Sequence, residues 1–223
     1  MALNINGTTG ISGVDGSVSA PAVTGTDSNT GITFPSADTI KFAPGGVERM
    51  AITNSGVTGI TAGITMAQLW RINTSFGVAA QHGAIDANWE VADHAGVGSI
   101  LLNGSGMSQS SGIFSFPSTG IYSIQFVCGY YASATDIRYL GASIYTTQNN
   151  GGAYTHAAVN YGHIANMTGG ATHTTVVTNT IFDVTDTSTH KCYFALANVS
   201  QVSVHRHTDI NYTHVIFTRL GDT

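Results

Sequence analysis

From residue 66 to the end, the sequence breaks into short runs rich in Thr, Val, Ile, Tyr and Phe, separated by turn-forming residues. These residues favour pleated, half-buried strands, and helix-forming Leu, Lys and Glu are scarce. The spacing of runs and turns is typical of a two-sheet sandwich, so we predict an all-β, ten-stranded jelly roll. The predicted strands span 67–74, 89–91, 99–102, 112–116, 121–130, 136–147, 154–161, 174–184, 191–197 and 212–220.

One segment of this region shows the pattern clearly. Phe114, Phe116 and Tyr122 are placed by alternation on the inward face of two strands, with Pro117 and Gly120 in the turn between them. Cys128 and Cys192 each lie inside an apolar, strand-like run. We therefore interpret them as buried free thiols rather than a disulfide.

Residues 1–65 have a different character, with short apolar pairs spaced by Gly, Ser and Thr. Ordering each backbone costs about 1–2 kcal/mol, and the small apolar side chains of one copy do not offset that cost. We predict a partly β, intertwined arm that folds only when three chains share their apolar surfaces. A flexible glycine-rich linker is the alternative. The predicted organisation is an N-terminal arm (1–30), a short β segment (31–65) and a jelly-roll head (66–223).

The low charge of the chain limits the classes of partner that it can bind. Charged residues make up 9% of the sequence, against about 25% in an ordinary soluble domain. The net charge of −5 argues against nucleic-acid binding, which requires basic patches. No apolar run approaches the roughly 18 residues of a membrane-spanning helix, and the first residues predict no signal peptide. We expect neither nucleic-acid binding nor membrane insertion.

The arm contains a recognisable motif, GITFPSADTIKFAPGGVERMAITNSGVTGI, in which Asp38-Thr39-Ile40 precedes Glu48-Arg49-Met50. This run of about thirty residues resembles shaft segments of tailed-bacteriophage fibre proteins. The resemblance implies a structural virion protein that is assembled in the host cytoplasm. It also implies that residues 1–30 are a virion-anchoring arm, attached to a phage tail, neck or capsid protein, and that residues 31–65 are a short β shaft segment.

The head has a resemblance of its own. Phe114 to Tyr122 and the ending Tyr212-Thr-His-Val-Ile-Phe217-Thr-Arg-Leu220 resemble the trimeric heads of the complement and tumour-necrosis-factor superfamily over about 150 residues. This resemblance implies a homotrimer of ten-stranded jelly rolls. The loops are poorer in acidic residues than in complement heads, which speaks against a calcium site. We expect no cofactor.

Carboxylate pairs are the signature of polysaccharide-cleaving enzymes, and this sequence has few. The closest acidic pairs are Glu90 with Asp93 and Asp183 with Asp186. Asp186 follows a strand and is better explained as a turn cap, and Glu90 as a solvated strand end. No catalytic motif is present, so we predict that the protein is not an enzyme and has no catalytic residues.

Successive strands of the predicted sandwich run in alternating directions, so every second connection lies at the same end of the head. This strand parity indicates where a receptor would bind. If the arm enters at one end of the head, the connections 103–111, 131–135, 162–172 and 198–211 fall at the far end. Aromatic, amide, imidazole and guanidinium groups of these loops are suited to binding sugars. The predicted receptor-binding residues are Tyr131, His163, Asn166, His173, His205, Arg206, Asp209 and Asn211.

The histidines invite one metal hypothesis. His205 and His207 form a His-x-His pair, and residues i and i+2 of an extended segment point the same way. Near a three-fold axis, six such imidazoles could bind one transition-metal ion. Polar loop histidines without a metal are the simpler interpretation, and we expect no metal.

These observations lead to three functional hypotheses. The first is a trimeric tail fibre whose head binds a host-cell receptor, a surface polysaccharide or a protein. The alternative is a capsid or neck decoration fibre with the same fold. A polysaccharide depolymerase ranks third.

Overall fold

The computed structural model describes residues 4–6, 10–12, 15–59, 64–79, 83–94, 105–198 and 200–223. The chain divides into two compact units, Met1–Ala62 and Gly63–Thr223. In the described residues all strand pairs are antiparallel, and one 3-10 turn at Pro44–Gly46 is the helical element. No helix in these residues is both long and apolar enough to cross a membrane.

The N-terminal unit is built from short strands. β1 pairs with β2, β3 pairs with β4, and β5 to β9 form a five-stranded meander in chain order. The strands are β1 (Asn4–Asn6), β2 (Gly10–Ser12), β3 (Gly16–Ser17), β4 (Ala20–Pro21), β5 (Val23–Thr24), β6 (Gly31–Thr33), β7 (Ile40–Ala43), β8 (Met50–Thr53) and β9 (Gly56–Thr58). The sequence indicated a hairpin or small meander here. The meander forms within one chain, and its intertwining with other chains stays a prediction.

The meander has two unlike faces. Opposite residues of an antiparallel pair share a face, and the register aligns apolar residues from all five strands. We call this the apolar face, and it consists of Val23, Ile32, Ile40, Phe42, Met50, Ile52 and Val57. Val23 is 50% exposed and Val57 54% exposed, whereas Thr33, Ala43 and Ala51 of the other face are buried.

The C-terminal unit, the head, contains the longer strands. They are β10 (Met66–Ile72), β11 (Phe76–Val78), β12 (Trp89–Val91), β13 (Ser108–Ser110), β14 (Ile113–Ser115), β15 (Gly120–Ser133), β16 (Ile137–Thr147), β17 (Thr155–Ile164), β18 (Ala171–Val184), β19 (Lys191–Asn198), β20 (Val202–Val204) and β21 (His214–Gly221). In the first sheet, β15 pairs with β18 on one edge and with β20 and β21 on the other, and β21 continues to β10 and β12. The second sheet has the order β13-β14-β19-β16-β17.

The path of the chain between the two sheets identifies the fold. The chain crosses from β14 in the second sheet to β15 in the first, and back to β16 and β17 in the second. It then crosses to β18 in the first sheet, to β19 in the second, and to β20 and β21 in the first. Two antiparallel sheets connected in this way form a jelly roll, as the sequence predicted.

The core between the sheets is aromatic. The ring centroid of Phe114 lies 5.4 Å from those of Trp70, Trp89 and Phe194 and 5.2 Å from that of Phe217. These rings come from five strands of both sheets, so Phe114 sits at the centre of the packing that holds the sandwich together.

The turn before β15 agrees with the sequence. Phe114, Phe116 and Tyr122 are buried, and the Tyr122 hydroxyl donates to the carbonyl of Ser118 at 2.9 Å. Gly120 has φ 143°, which only glycine adopts readily. Cys128 and Cys192 are buried and free, as expected. Burial raises the pKa of the Cys128 thiol to about 12, so neither cysteine is placed for thiolate chemistry.

The predicted strands correspond to observed ones, apart from 99–102, which lies outside the described residues. Three strands, β11, β13 and β20, were not predicted. Each has three residues, and β13 is entirely polar, so alternation gave no signal. The connection 103–111 therefore contains β13, which pairs with β14; this part of it is not an end loop.

Candidate functional site

Three connections meet at the end of the head where β15 leads into β16. Ser133 pairs with Ala171, and Ile137 pairs with Ile164, so the 134–136 and 165–170 turns are neighbours. The backbone N–H of Asn166 donates to Asp136 Oδ1 at 2.7 Å across them. β20 joins the same end by pairing with Tyr130 and Tyr131. Parity had placed 131–135, 162–172 and 198–211 together, and the strand register does so.

Four rings form a contiguous cluster at this end, which we call the end cluster: Tyr131, His173, His205 and Tyr212. His205 stacks on Tyr212 with centroids 3.9 Å apart and planes 19° apart. The His205 centroid also lies 5.3 Å from Tyr131 and 5.2 Å from His173, and Tyr131 stacks on His173 at 5.7 Å. The cluster therefore offers ring faces and imidazole nitrogens on one surface.

Strand register explains why these rings meet. Tyr131 and His173 are directly paired residues of β15 and β18 and share the outer face of the first sheet. The backbone N–H of His205 donates to the carbonyl of Gly129 at 2.8 Å. Thr213 fixes the other end of the segment, because its hydroxyl accepts from the Gly129 N–H at 3.0 Å.

His207 holds the connecting loop in shape. Its Nδ1 accepts the backbone N–H of Asp209 at 2.9 Å and that of Ile210 at 3.1 Å. A nitrogen that accepts two N–H groups carries no proton, so the loop requires the neutral tautomer with hydrogen on Nε2. Asp209 also lies 3.6 Å from Nδ1 of His94.

The electrostatics of this end favour neutral imidazoles. Partial burial lowers the pKa of His205, and the nearby His173 and His207 lower it further. Burial also lowers the pKa of His214, the first residue of β21. At neutral pH, uncharged imidazoles can both donate and accept hydrogen bonds.

A polar cleft of about 310 Å³ adjoins Tyr131, between the ends of β15 and β20. Its lining residues are Tyr131, Ala132, Ser133, Thr135, Ser200, Gln201, Val202 and Ser203. The ring cluster and the cleft together form a surface of stacking groups and hydroxyls. Such a surface can bind a polar ligand with apolar faces.

The predicted receptor-binding residues are only partly brought together. Tyr131, His173 and His205 belong to the end cluster. Arg206, Asp209 and Asn211 lie in the same 205–213 loop; Arg206 and Asp209 are exposed, and Asn211 Oδ1 is buried without a hydrogen-bond partner in the described residues.

Asn166 lies in the neighbouring turn, where only its backbone bond is seen, and His163 is exposed on β17. Tyr212 was missed because it was interpreted as the start of a strand. An aromatic residue between a histidine-rich loop and a strand is the signal that could have identified it.

The carboxylates considered for catalysis bind other groups. Glu90 Oε1 and Asp93 Oδ1 accept from the buried Arg71 at 2.8 and 2.6 Å. Asp186 Oδ1 accepts from both the N–H and the hydroxyl of Ser188, which lowers the pKa of Asp186. Asp186 therefore caps a turn, as its sequence position indicated.

The described residues contain no group of three or more His, Cys, Asp or Glu side chains placed to hold a metal ion. A site shared by three chains would not be visible in one chain, so the three-fold site at His205 and His207 stays an alternative hypothesis to the expected absence of a metal. In the structure only Nε2 of His207 is free for a further ligand, because Nδ1 is used by the loop.

No protein-family model matches the sequence, and no curated protein matches it. Among solved structures, murine APRIL is similar with a TM-score of 0.45 and 11% identity, over 70% of this chain and 98% of that one. Eiger TNF from S. frugiperda is similar with a TM-score of 0.47 and 10% identity, over 73% of this chain and 96% of that one. At this level of similarity, the assignment of a jelly roll rests on the strand order described above.

Proposed function

We propose that the chain is a virion protein of a tailed bacteriophage: a homotrimeric fibre, attached through its N-terminal arm, whose head binds a host-cell surface glycan. The resemblance of the arm to phage shaft segments and the two-unit organisation support this proposal. It is a binding and structural role, without catalysis.

The apolar face of the N-terminal meander is the observation that carries the proposal. Seven apolar side chains from five strands share it, and no charged residue interrupts it. Exposed contiguous apolar surfaces of this kind usually mark protein–protein contacts. Copies of the same face cover it without burying a charge, which favours self-association over a charged partner.

The head has an exposed apolar surface of its own. On the outer face of the first sheet, Ile181 is 69% exposed and Val177 43% exposed. Val177 pairs with Val127, and Ile216 with Leu69, on the same face. We assign the part of this face around Val127, Val177 and Ile181, further along β15 and β18 from the Tyr131–His173 pair, to contacts between heads of the trimer.

The end cluster and its adjoining cleft supply the receptor contact. Sugars present apolar ring faces beside hydroxyl groups, and aromatic rings beside imidazoles and hydroxyls match both features. The net charge of −5 and the small number of basic residues argue against a nucleic acid as the ligand.

Two measurements on the full-length protein test the proposal. Sedimentation equilibrium should give three times the chain mass of 23.1 kDa, and a stable folded monomer contradicts the trimer. Excess purified protein should block phage adsorption to host cells. A variant with Tyr212→Ala should block less well, whereas Ile113→Ala, an exposed substitution on the second sheet, should block like wild type.

The other hypotheses predict different outcomes. A decoration fibre leaves adsorption unchanged in the presence of excess trimer, and labelled protein is then found on the capsid or neck. A depolymerase releases reducing ends from host polysaccharide, and Glu90→Gln abolishes the release.

A further inference from the structure

A pair of tyrosines on the second sheet lies outside the site described above. Tyr161 of β17 is 60% exposed, an unusual state for a large aromatic side chain in a strand. The ring of Tyr139 on β16 lies 5.6 Å from it at an interplanar angle of 85°. We call this pair the tyrosine corner.

A β-bulge produces the corner. Ile137 pairs with Ile164 and Leu140 with Gly162, so β16 has one residue more than β17 in this interval. Without the extra residue, Tyr139 would point into the core together with Ile137, two positions earlier. The bulge turns Leu140 inward and Tyr139 outward.

A glycine provides space for the second ring. Gly141 is paired with Tyr161 on one side and with Ala197 on the other. A Cβ at Gly141 would lie 2.8 Å from Cε1 of Tyr161 and 3.1 Å from Ala197 Cβ. The Tyr161 ring therefore lies over Gly141, and the side chain is 60% exposed to solvent.

The corner encloses a depression with a positive charge beside it. A cavity of about 320 Å³ is lined by Tyr139, Tyr161 and Ala197. The guanidinium carbon of the exposed Arg138 lies 5.6 Å from the Tyr139 centroid. Arg138 forms no salt bridge with any described residue. Asp136, the nearest acidic residue along the chain, accepts the backbone N–H of Asn166. The cation next to the corner is thus available to a ligand.

We propose that the tyrosine corner binds one pyranose ring of an acidic polysaccharide, with Arg138 pairing with the carboxylate of a hexuronate. An aromatic face carries partial negative charge and attracts the polarised C–H groups of a sugar ring. Arginine matches the planar carboxylate geometrically. This inference rests on the proposed function and adds a second contact, on the side of the head, together with the class of glycan.

Affinity electrophoresis of the full-length protein tests the corner, with alginate, a hexuronate polymer, or dextran, a neutral glucan, cast in native gels. Alginate should retard the wild type more strongly than dextran does. Tyr161→Ala should weaken alginate retention at least about tenfold, and Tyr161→Phe, which keeps the ring, should stay within about twofold. Arg138→Gln should remove the preference for alginate.

Two further variants guard against a folding artefact. Gly141→Ala keeps both tyrosines but displaces the Tyr161 ring, and it should also weaken retention. Ile113→Ala, exposed on the same sheet, should behave as wild type. The inference is overturned if neither polymer retards the wild type, or if Tyr161→Ala and Ile113→Ala bind alginate equally. Alginate retention lost only on Tyr212→Ala also overturns it, while leaving the proposed receptor site at the end cluster intact.

Discussion

His207 accepts the backbone N–H of Asp209 through Nδ1 at 2.9 Å, and the shape of the 205–213 loop depends on that nitrogen being unprotonated. The same loop carries His205 and leads into His214, and both have a lowered pKa because of burial. Its conformation should therefore respond to mild acid.

The first prediction concerns pH. A folded-state pKa below the unfolded histidine value of about 6.5 means that the unfolded chain binds more protons, so stability falls as pH drops below that value. Hydrogen exchange of residues 205–213 should be faster at pH 5.0 than at pH 7.5. His205→Asn removes one of the two imidazoles whose pKa is lowered, and should reduce this difference. Equal exchange of the wild type at both pH values contradicts the prediction.

The second prediction concerns the core. Phe114 contacts aromatic rings from both sheets, and a cavity there cannot be refilled by flexible side chains. Phe114→Ala should lower the free energy of unfolding by about 3–5 kcal/mol, measured by urea denaturation. Its neighbour Ile113 is 39% exposed, and Ile113→Ala should cost less than about 0.5 kcal/mol. Similar losses for both variants argue against the packing described.

The third prediction concerns the Arg71 ion pairs. Glu90 accepts from Arg71 at 2.8 Å and from Asn73 Nδ2 at 2.9 Å. Glu90→Gln leaves the buried guanidinium with Asp93 as its remaining carboxylate, and should destabilise the head by about 1–3 kcal/mol. Urea denaturation measures this loss, and glycan binding should be unchanged. Unaltered stability would show that the Arg71–Glu90 ion pair makes no net contribution to the free energy of unfolding.

The fourth prediction concerns assembly. Ile52 lies on the apolar face and Thr58 on the opposite face of the same meander. Ile52→Lys places a charge in the proposed contact and should shift full-length protein toward lower mass in sedimentation equilibrium. Thr58→Lys adds the same charge to the other side of the sheet and should leave the mass unchanged. If both variants keep the wild-type mass even at dilutions where the wild type begins to dissociate, the apolar face does not join the chains.

Local sequence pattern was sufficient for the long strands of the head. β15, for example, alternates buried and partly exposed residues from Gly120 to Val127, and this period-two pattern is visible in the sequence. The fold class followed from counting such segments. Three-residue strands such as β13 have too few residues for a period, and their pairing depends on neighbours distant in the chain.

The positions of the candidate site residues were predictable from the sequence only where the strands have no bulge and no irregular loop intervenes. Tyr131 and His173 lie near the same end of the head, although in strands rather than in the predicted loops, because the register along β15 and β18 is regular. Tyr139 could not be assigned to the surface, because its direction depends on a bulge that exists only relative to β17. Similarly, the stacking of Tyr212 on His205 depends on how the 205–213 loop folds back.

The pairing of β15 with β18 has a mechanical consequence. The two strands are matched residue by residue from Gly120 with Val184 to Ser133 with Ala171, over the 14 residues of each strand. A pull directed along these strands loads their hydrogen bonds together in shear, whereas a pull across the sheet opens them one after another. If the head bears load as proposed for a fibre, it should thus withstand tension best along the β15 direction.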